Sequence, residues 1–163
     1  MNWYGAYLRR AYRGRRPTSF VRFQNRASAI LFGAGLGPRR AATLQVVGRS
    51  SGRAISSPLV IADWNGERYV VSMLGERAKW VGNVRAAGGR AVIRRRRREA
   101  VVLEEVPVDL RPPILRRYLV LAPGARPHIP VDRKAPLQEF QRIASEIPVF
   151  RIEPAAAVGD HPR

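Results

Sequence analysis

The sequence has no cysteine. Disulfides, thiol nucleophiles and Cys-based metal sites are therefore excluded. Histidine is nearly absent too: His128 and His161 stand far apart, so no structural zinc site has a ligand set. Acidic residues are scarce, 12 Asp+Glu against 30 Lys+Arg, for a formal net charge of +18. Lysine occurs only at Lys79 and Lys134, so the positive charge is almost all arginine. GC-rich coding produces part of such a bias, which weakens the charge as a functional signal. No apolar run approaches the roughly 20 residues that span a bilayer. The N-terminus lacks the apolar core and cleavage site of a signal peptide. These absences lead us to expect a cytoplasmic protein, with membrane association limited to the surface.

With 163 residues, 45% of them hydrophobic, the chain suits one domain with a substantial core. Its positive field attracts anions: nucleic acid, an anionic lipid surface or a polyanionic small molecule. Residues 1–40 read as a helical segment. Trp3, Tyr4, Tyr7 and Tyr12 alternate with Arg9, Arg10, Arg13, Arg15 and Arg16, a pattern open to peripheral lipid contact or to simple docking. A helix over 20–32 then runs into the glycine-rich linker 33–38.

From residue 41 to 154 the pattern is that of strands. Alternation and β-branched content predict strands over 42–47, 55–64, 68–73, 90–95, 99–106 and 146–152. Pro58 marks a bulge or an edge. Asn65-Gly66 marks a tight hairpin. Helices are predicted over 76–87, 109–120 and 136–144, and residues 155–163 form a tail. The arginine run 94–98 sits between two strands and reads as a solvated hairpin tip rather than a nucleic-acid motif. Strands in hairpins, without repeated βαβ units, give an α+β fold: a small, mostly antiparallel β-barrel with helical excursions.

The most informative stretch is Gly48-Arg49-Ser50-Ser51-Gly52-Arg53, between the first two strands. Its glycines allow positive φ and close approach, its serines offer hydroxyls, and its arginines offer planar forks. That is the inventory of a phosphate clamp, and equally of a basic surface turn.

Four pieces then follow in order: Val47-Gly48-Arg49-Ser50-Ser51-Gly52, Ser57-Pro58-Leu59, Val71-Ser72-Met73-Leu74-Gly75, and Trp80-Val81-Gly82-Asn83-Val84-Arg85-Ala86-Ala87-Gly88-Gly89. Together they resemble the deazaflavin (coenzyme F420)-dependent nitroreductase and quinone reductase family of actinobacteria. Its members have a split β-barrel related to FMN-binding barrels. The resemblance covers roughly 41–154 and is strongest over 47–93. It implies that Gly48, Arg49, Ser51 and Gly52, with Ser50 at the variable position, hold the coenzyme's phosphate and acidic tail. It further implies that Pro58, Ser72, Met73, Lys79, Trp80 and Asn83 line the cofactor groove, with Ser72 beside the deazaflavin ring. Members often carry a lysine after the strand-end serine, where this chain has Met73. Ser72, Tyr118 and His128 are the candidate proton donors or hydrogen-bond partners, His128 in a Pro-bracketed loop that suits a substrate lid.

The chemistry implied is hydride transfer from reduced coenzyme F420 to a small-molecule electron acceptor such as a quinone or nitro compound. The coenzyme beyond its ring is polyanionic, and Arg49, Arg53, Arg77 and Lys79 would meet it with complementary charge. The residues alone leave open FMN or haem in the same barrel, or a nucleic-acid-binding barrel. No specific nucleic acid partner is expected, and monomer and homodimer both remain open.

Overall fold

The structure is a computed structural model and describes residues 40–156. The helices expected before residue 40 and the tail after residue 156 lie outside the described residues. Six strands account for the barrel: β1 (Ala41–Val47), β2 (Ala54–Trp64), β3 (Glu67–Val71), β4 (Arg90–Arg94), β5 (Arg98–Glu105) and β6 (Val149–Pro154). They close in the order β1-β2-β3-β6-β5-β4, every neighbouring pair antiparallel.

The two-residue period of the strands distributes side chains between two apolar clusters. Leu44, Val46, Leu59, Ile61, Val70, Ile93, Leu103, Phe150 and Ile152 fill the barrel interior. Val60, Ala62, Tyr69, Val71 and Val149 alternate with them and face outward. That outer face is covered by α2 (Arg111–Leu121) and α3 (Leu137–Ile143), through Ile114, Leu115, Tyr118, Leu119 and Phe140. A shorter helix, α1 (Lys79–Ala86), contributes Val81 and Val84 to the interior cluster. Residues 59–62 of β2 and 69–71 of β3 are thereby buried on both faces, which explains the apolar runs there.

Several expectations are met closely. Pro58 lies on β2 opposite Thr43 of β1, while pairing with β3 begins only at Ile61. Its missing N–H therefore falls on a stretch with one strand neighbour among the described residues. Asn65 (φ 50) and Gly66 (φ 80) make the β2–β3 turn, both left-handed as a tight hairpin requires. The arginine run forms the exposed tip of the β4–β5 hairpin.

Others are corrected. The single helix expected over 76–87 is two pieces: a 3-10 turn (Gly75–Arg77), then α1 starting after extended Ala78 (ψ 119). The helix expected from 109 starts as a 3-10 turn (Val108–Leu110), with Pro112 and Pro113 at the head of α2, where a lost N–H is tolerated. The last strand begins at Val149 instead of 146, because Ala144–Glu146 is a 3-10 turn and Pro148 has no N–H to pair. No helix among the described residues is long and apolar enough to cross a membrane.

Candidate functional site

The turn between β1 and β2 is closed on itself and pinned to α1. Gly48 N donates to Arg53 O (2.7 Å) and Gly52 N to Gly48 O (2.9 Å), with Gly52 at φ 65. Arg53 N donates to Ser51 Oγ (3.3 Å). Arg49 provides the pin: its backbone N–H and its Nη1 both donate to Asn83 Oδ1 (3.2 and 3.3 Å), and Nη1 also donates to Lys79 O (3.3 Å). Asn83 is buried, so its carbonyl oxygen is committed to this contact. The guanidinium lies across Gly82, where a Cβ would collide with it. Glycine at this point of α1 is thus what lets the side chain seat on the helix.

Around the pinned turn the surface is cationic and unneutralised. Ser50, Ser51, Arg53 and Lys79 are exposed. Arg53 and Lys79 make no ion pair among the described residues. The N–H groups of Ser50 and Ser51 likewise have no partner there. Free N–H groups, hydroxyls and fixed positive charge on one turn are what an anionic group requires.

On the other side of α1, β3 ends and the chain turns through a fixed loop. Ser72 is 1% exposed; its Oγ donates to Gly75 O (2.7 Å) and its N–H to Pro148 O (3.0 Å). Gly75 has φ 67, and a Cβ there would lie 2.8 Å from Glu146 O. The loop so held forms one wall of an open cavity of about 400 Å³, lined by Met73, Leu74, Arg77, His128, Pro130 and Ile147 among others. Continuing the β2–β3 register would set Met73 level with Pro58.

The structure therefore divides the expected site residues. Gly48, Arg49, Ser50, Ser51, Gly52, Lys79 and Asn83 come together at the turn. Met73 and His128 come together at the cavity. Ser72 is the lock of the connecting loop. Trp80 is half-buried against Phe150, ring centroids 5.6 Å apart and tilted 57°, packed on the barrel-interior cluster. Tyr118 is 3% exposed within the outer apolar cluster, and burial raises its phenol pKa. Neither turn nor cavity includes it.

One cluster went unforeseen. Arg85 of α1 pairs with Glu76 (2.6 and 3.0 Å) and with Glu105 at the end of β5 (2.6 and 3.0 Å). Buried Arg111 joins at Glu105 (3.2 Å) and donates to Val106 O (2.8 Å), Ala144 O (2.9 Å) and Ile147 O (3.2 Å). The Arg85 guanidinium holds both glutamates below the usual carboxylate range. The network ties the loop carrying Glu76 to α1, β5 and α2. No residue spacing announces it, because its members are far apart in sequence.

A sequence profile of the family described as F420H(2)-dependent quinone reductase matches residues 18–138. No curated protein matches the sequence. Among solved structures, a protein of unknown function from Agrobacterium tumefaciens superposes with a TM-score of 0.52 at 13% identity, over 71% of this chain and 48% of that one. This chain thus spans about half the length of that relative. A structure described as a domain-swapped dimer superposes with a TM-score of 0.51 at 18% identity, over 85% of this chain and 100% of the other. An F420-H2 dependent reductase gives 0.48 at 19% identity, over 71% and 95%. The first two likenesses show the fold.

Proposed function

The chain belongs to the F420H(2)-dependent quinone reductase family, a class of F420-dependent oxidoreductases, and from that membership we propose that it delivers hydride to a small electron-poor acceptor of the quinone type. The observation that carries this reading is the seat of Arg49 on α1. It fixes the turn 48–53 with its two free N–H groups and leaves Arg53 and Lys79 unpaired beside it.

The residues present fit the coenzyme. Its phosphodiester and glutamate tail need an anion site open to solvent, and the pinned turn offers one without steric bulk. Ser50 and Ser51 supply hydroxyls, and Lys79 and Arg53 supply charge. When bound, the reduced coenzyme supplies the hydride. The chain supplies placement: the turn anchors the tail, the loop locked by Ser72 forms a rigid wall, and Trp80, packed on Phe150, supplies an aromatic face. No proton abstraction is required of the protein, and none of the described residues forms an acid–base pair at the turn.

The test is a titration of the full chain with F420 and, separately, with FMN, followed by fluorescence. Saturable F420 binding at micromolar protein is expected, together with turnover of menadione by F420H2. Tight FMN binding without F420 binding would overturn the reading.

A further inference from the structure

We propose that the arginine tip of the β4–β5 hairpin is a docking surface for an anionic lipid bilayer, which it meets at the headgroups without entering the hydrocarbon. Neither coenzyme nor acceptor takes part in this contact, so it stands or falls apart from the oxidoreductase reading.

The tip carries charge that the fold does not neutralise. Arg94, Arg95, Arg96 and Arg97 are exposed and make no ion pair among the described residues. The carboxylates nearest along the flanking strands are taken. Glu99, next after the run, is held by Arg68 Nη1 and Nη2 (3.0 and 2.5 Å). Glu153 of β6 is held by Arg151 (2.6 Å). On the other flank β1 begins Ala41-Ala42-Thr43, with no acid. Like charges packed into one turn repel each other, and an anionic partner removes that cost. Codon bias accounts for arginine in place of lysine. It does not gather arginines at five consecutive positions, 94–98.

The shape of the tip selects a plane over a groove or a single anion. Successive side chains of an extended chain leave on opposite faces, so the run does not close its forks around one small ion. Nor does the hairpin stand out as an arm. Arg94 still pairs with Thr43, and the same register sets Arg96 level with Ala41, where β1 starts. On the far side Ala155 N donates to Ala100 O (3.0 Å). A two-stranded ribbon that reads a nucleic-acid groove has to enter it, and this one is flush with its described neighbours. No aromatic residue lies in the run to stack on a base. A bilayer surface asks for neither, because guanidinium forks at a rim meet headgroup phosphates directly. The exposed large apolar residues among those described, Leu74, Val108, Leu110, Val120 and Leu137, all lie outside the tip. The contact is therefore electrostatic and reversed by salt. The turn at 48–53 follows the other end of β1 and stays open to water while the tip is docked.

The test is co-sedimentation of the full chain with vesicles, one set of phosphatidylcholine alone and one an equimolar mixture with phosphatidylglycerol, at low and physiological salt. Wild type should pellet with the mixed vesicles, stay in solution with phosphatidylcholine alone, and be released as salt rises. Each arginine at an anionic surface contributes roughly fivefold. The triple variant Arg95→Gln, Arg96→Gln, Arg97→Gln should therefore bind the mixed vesicles about a hundredfold more weakly, with a melting temperature no lower than wild type. Arg53→Gln with Lys79→Gln, at the other end of the barrel, should change vesicle binding by less than about threefold, since those charges lie beyond a Debye length of the docked surface. No binding of wild type to the mixed vesicles, or a loss below about tenfold in the triple variant, overturns the tip as the contact. So does an equal loss in both variants, or equal binding to phosphatidylcholine alone. Duplex DNA that displaces the protein from mixed vesicles at equal phosphate concentration would assign the tip to nucleic acid, and that too overturns the lipid contact.

Discussion

A single missing Cβ decides how Arg49 is used. At Gly82 the obstacle to a methyl group is the end of a flexible side chain, not backbone. Gly82→Ala should therefore leave the fold intact, its helix-propensity gain of about 1 kcal/mol offsetting the lost Arg49 contacts. The displaced guanidinium should unseat the turn and weaken F420 binding about tenfold, roughly 1.4 kcal/mol. Gly75→Ala should do the reverse. Its φ is 67 and Glu146 O stands 2.8 Å from the added carbon, so a loss of about 1–3 kcal/mol in stability is expected. Thermal melts paired with F420 titrations separate the two, and a Gly82→Ala protein with wild-type affinity would show that the seat is irrelevant. The turn was legible because its residue types suit one task. The role of Asn83 was not: nothing in sequence says that a buried amide on α1 receives the backbone of Arg49, 34 positions earlier. The available clue was a glycine inside a helical pattern, which needs a reason.

At the level of elements, Arg85 joins α1, the end of β5 and the β3–α1 loop, with α2 attached through Arg111. Glu76 and Glu105 are held below their ordinary value of 4.5 chiefly by hydrogen bonds from Arg85. A carboxyl whose pKa is lower folded than unfolded stabilises the fold above its unfolded pKa, and that contribution fades as pH falls through the folded value. Melting temperature should thus hold from neutral pH to about 5 and drop below it. Arg85→Gln should melt lower at pH 7 but lose less on acidification. Parallel acid-induced losses in the two proteins would place the acid sensitivity elsewhere. Arg111→Met should be costlier, about 3 kcal/mol, because three carbonyls and Glu105 lose a buried donor; urea titration at neutral pH reads it. Local pattern located the strands to within a residue or two, except at the start of β6, since each carries an alternating or β-branched apolar run. It merged the 3-10 turn and α1 into one helix because neither Pro nor Gly stands between Glu76 and Lys79 to mark the extended Ala78 that separates them.

Across the whole molecule, the charge of +18 does not act as one field. Arg94 pairs with Thr43 near the start of β1, whereas the turn at Gly48 follows its end. At about 3.4 Å per residue, the arginine tip and the turn at 48–53 are separated by roughly 17 Å, about two Debye lengths at physiological salt. Sequence counts both as positive; only the barrel puts them at opposite ends. Replacing Arg95, Arg96 and Arg97 by glutamine should therefore leave F420 affinity within twofold at physiological salt, although it removes three charges. Replacing Arg53 and Lys79 by glutamine removes two, yet should weaken F420 about tenfold or more and flatten the salt dependence of binding, because those charges stand within contact distance of a bound anion. The decisive measurement is the ratio of the two effects between low and physiological salt. At low salt the screening length grows to about 30 Å, so the arginine tip should begin to contribute. An equal effect of both replacements at physiological salt would mean that the coenzyme is drawn in by net charge rather than held by the turn.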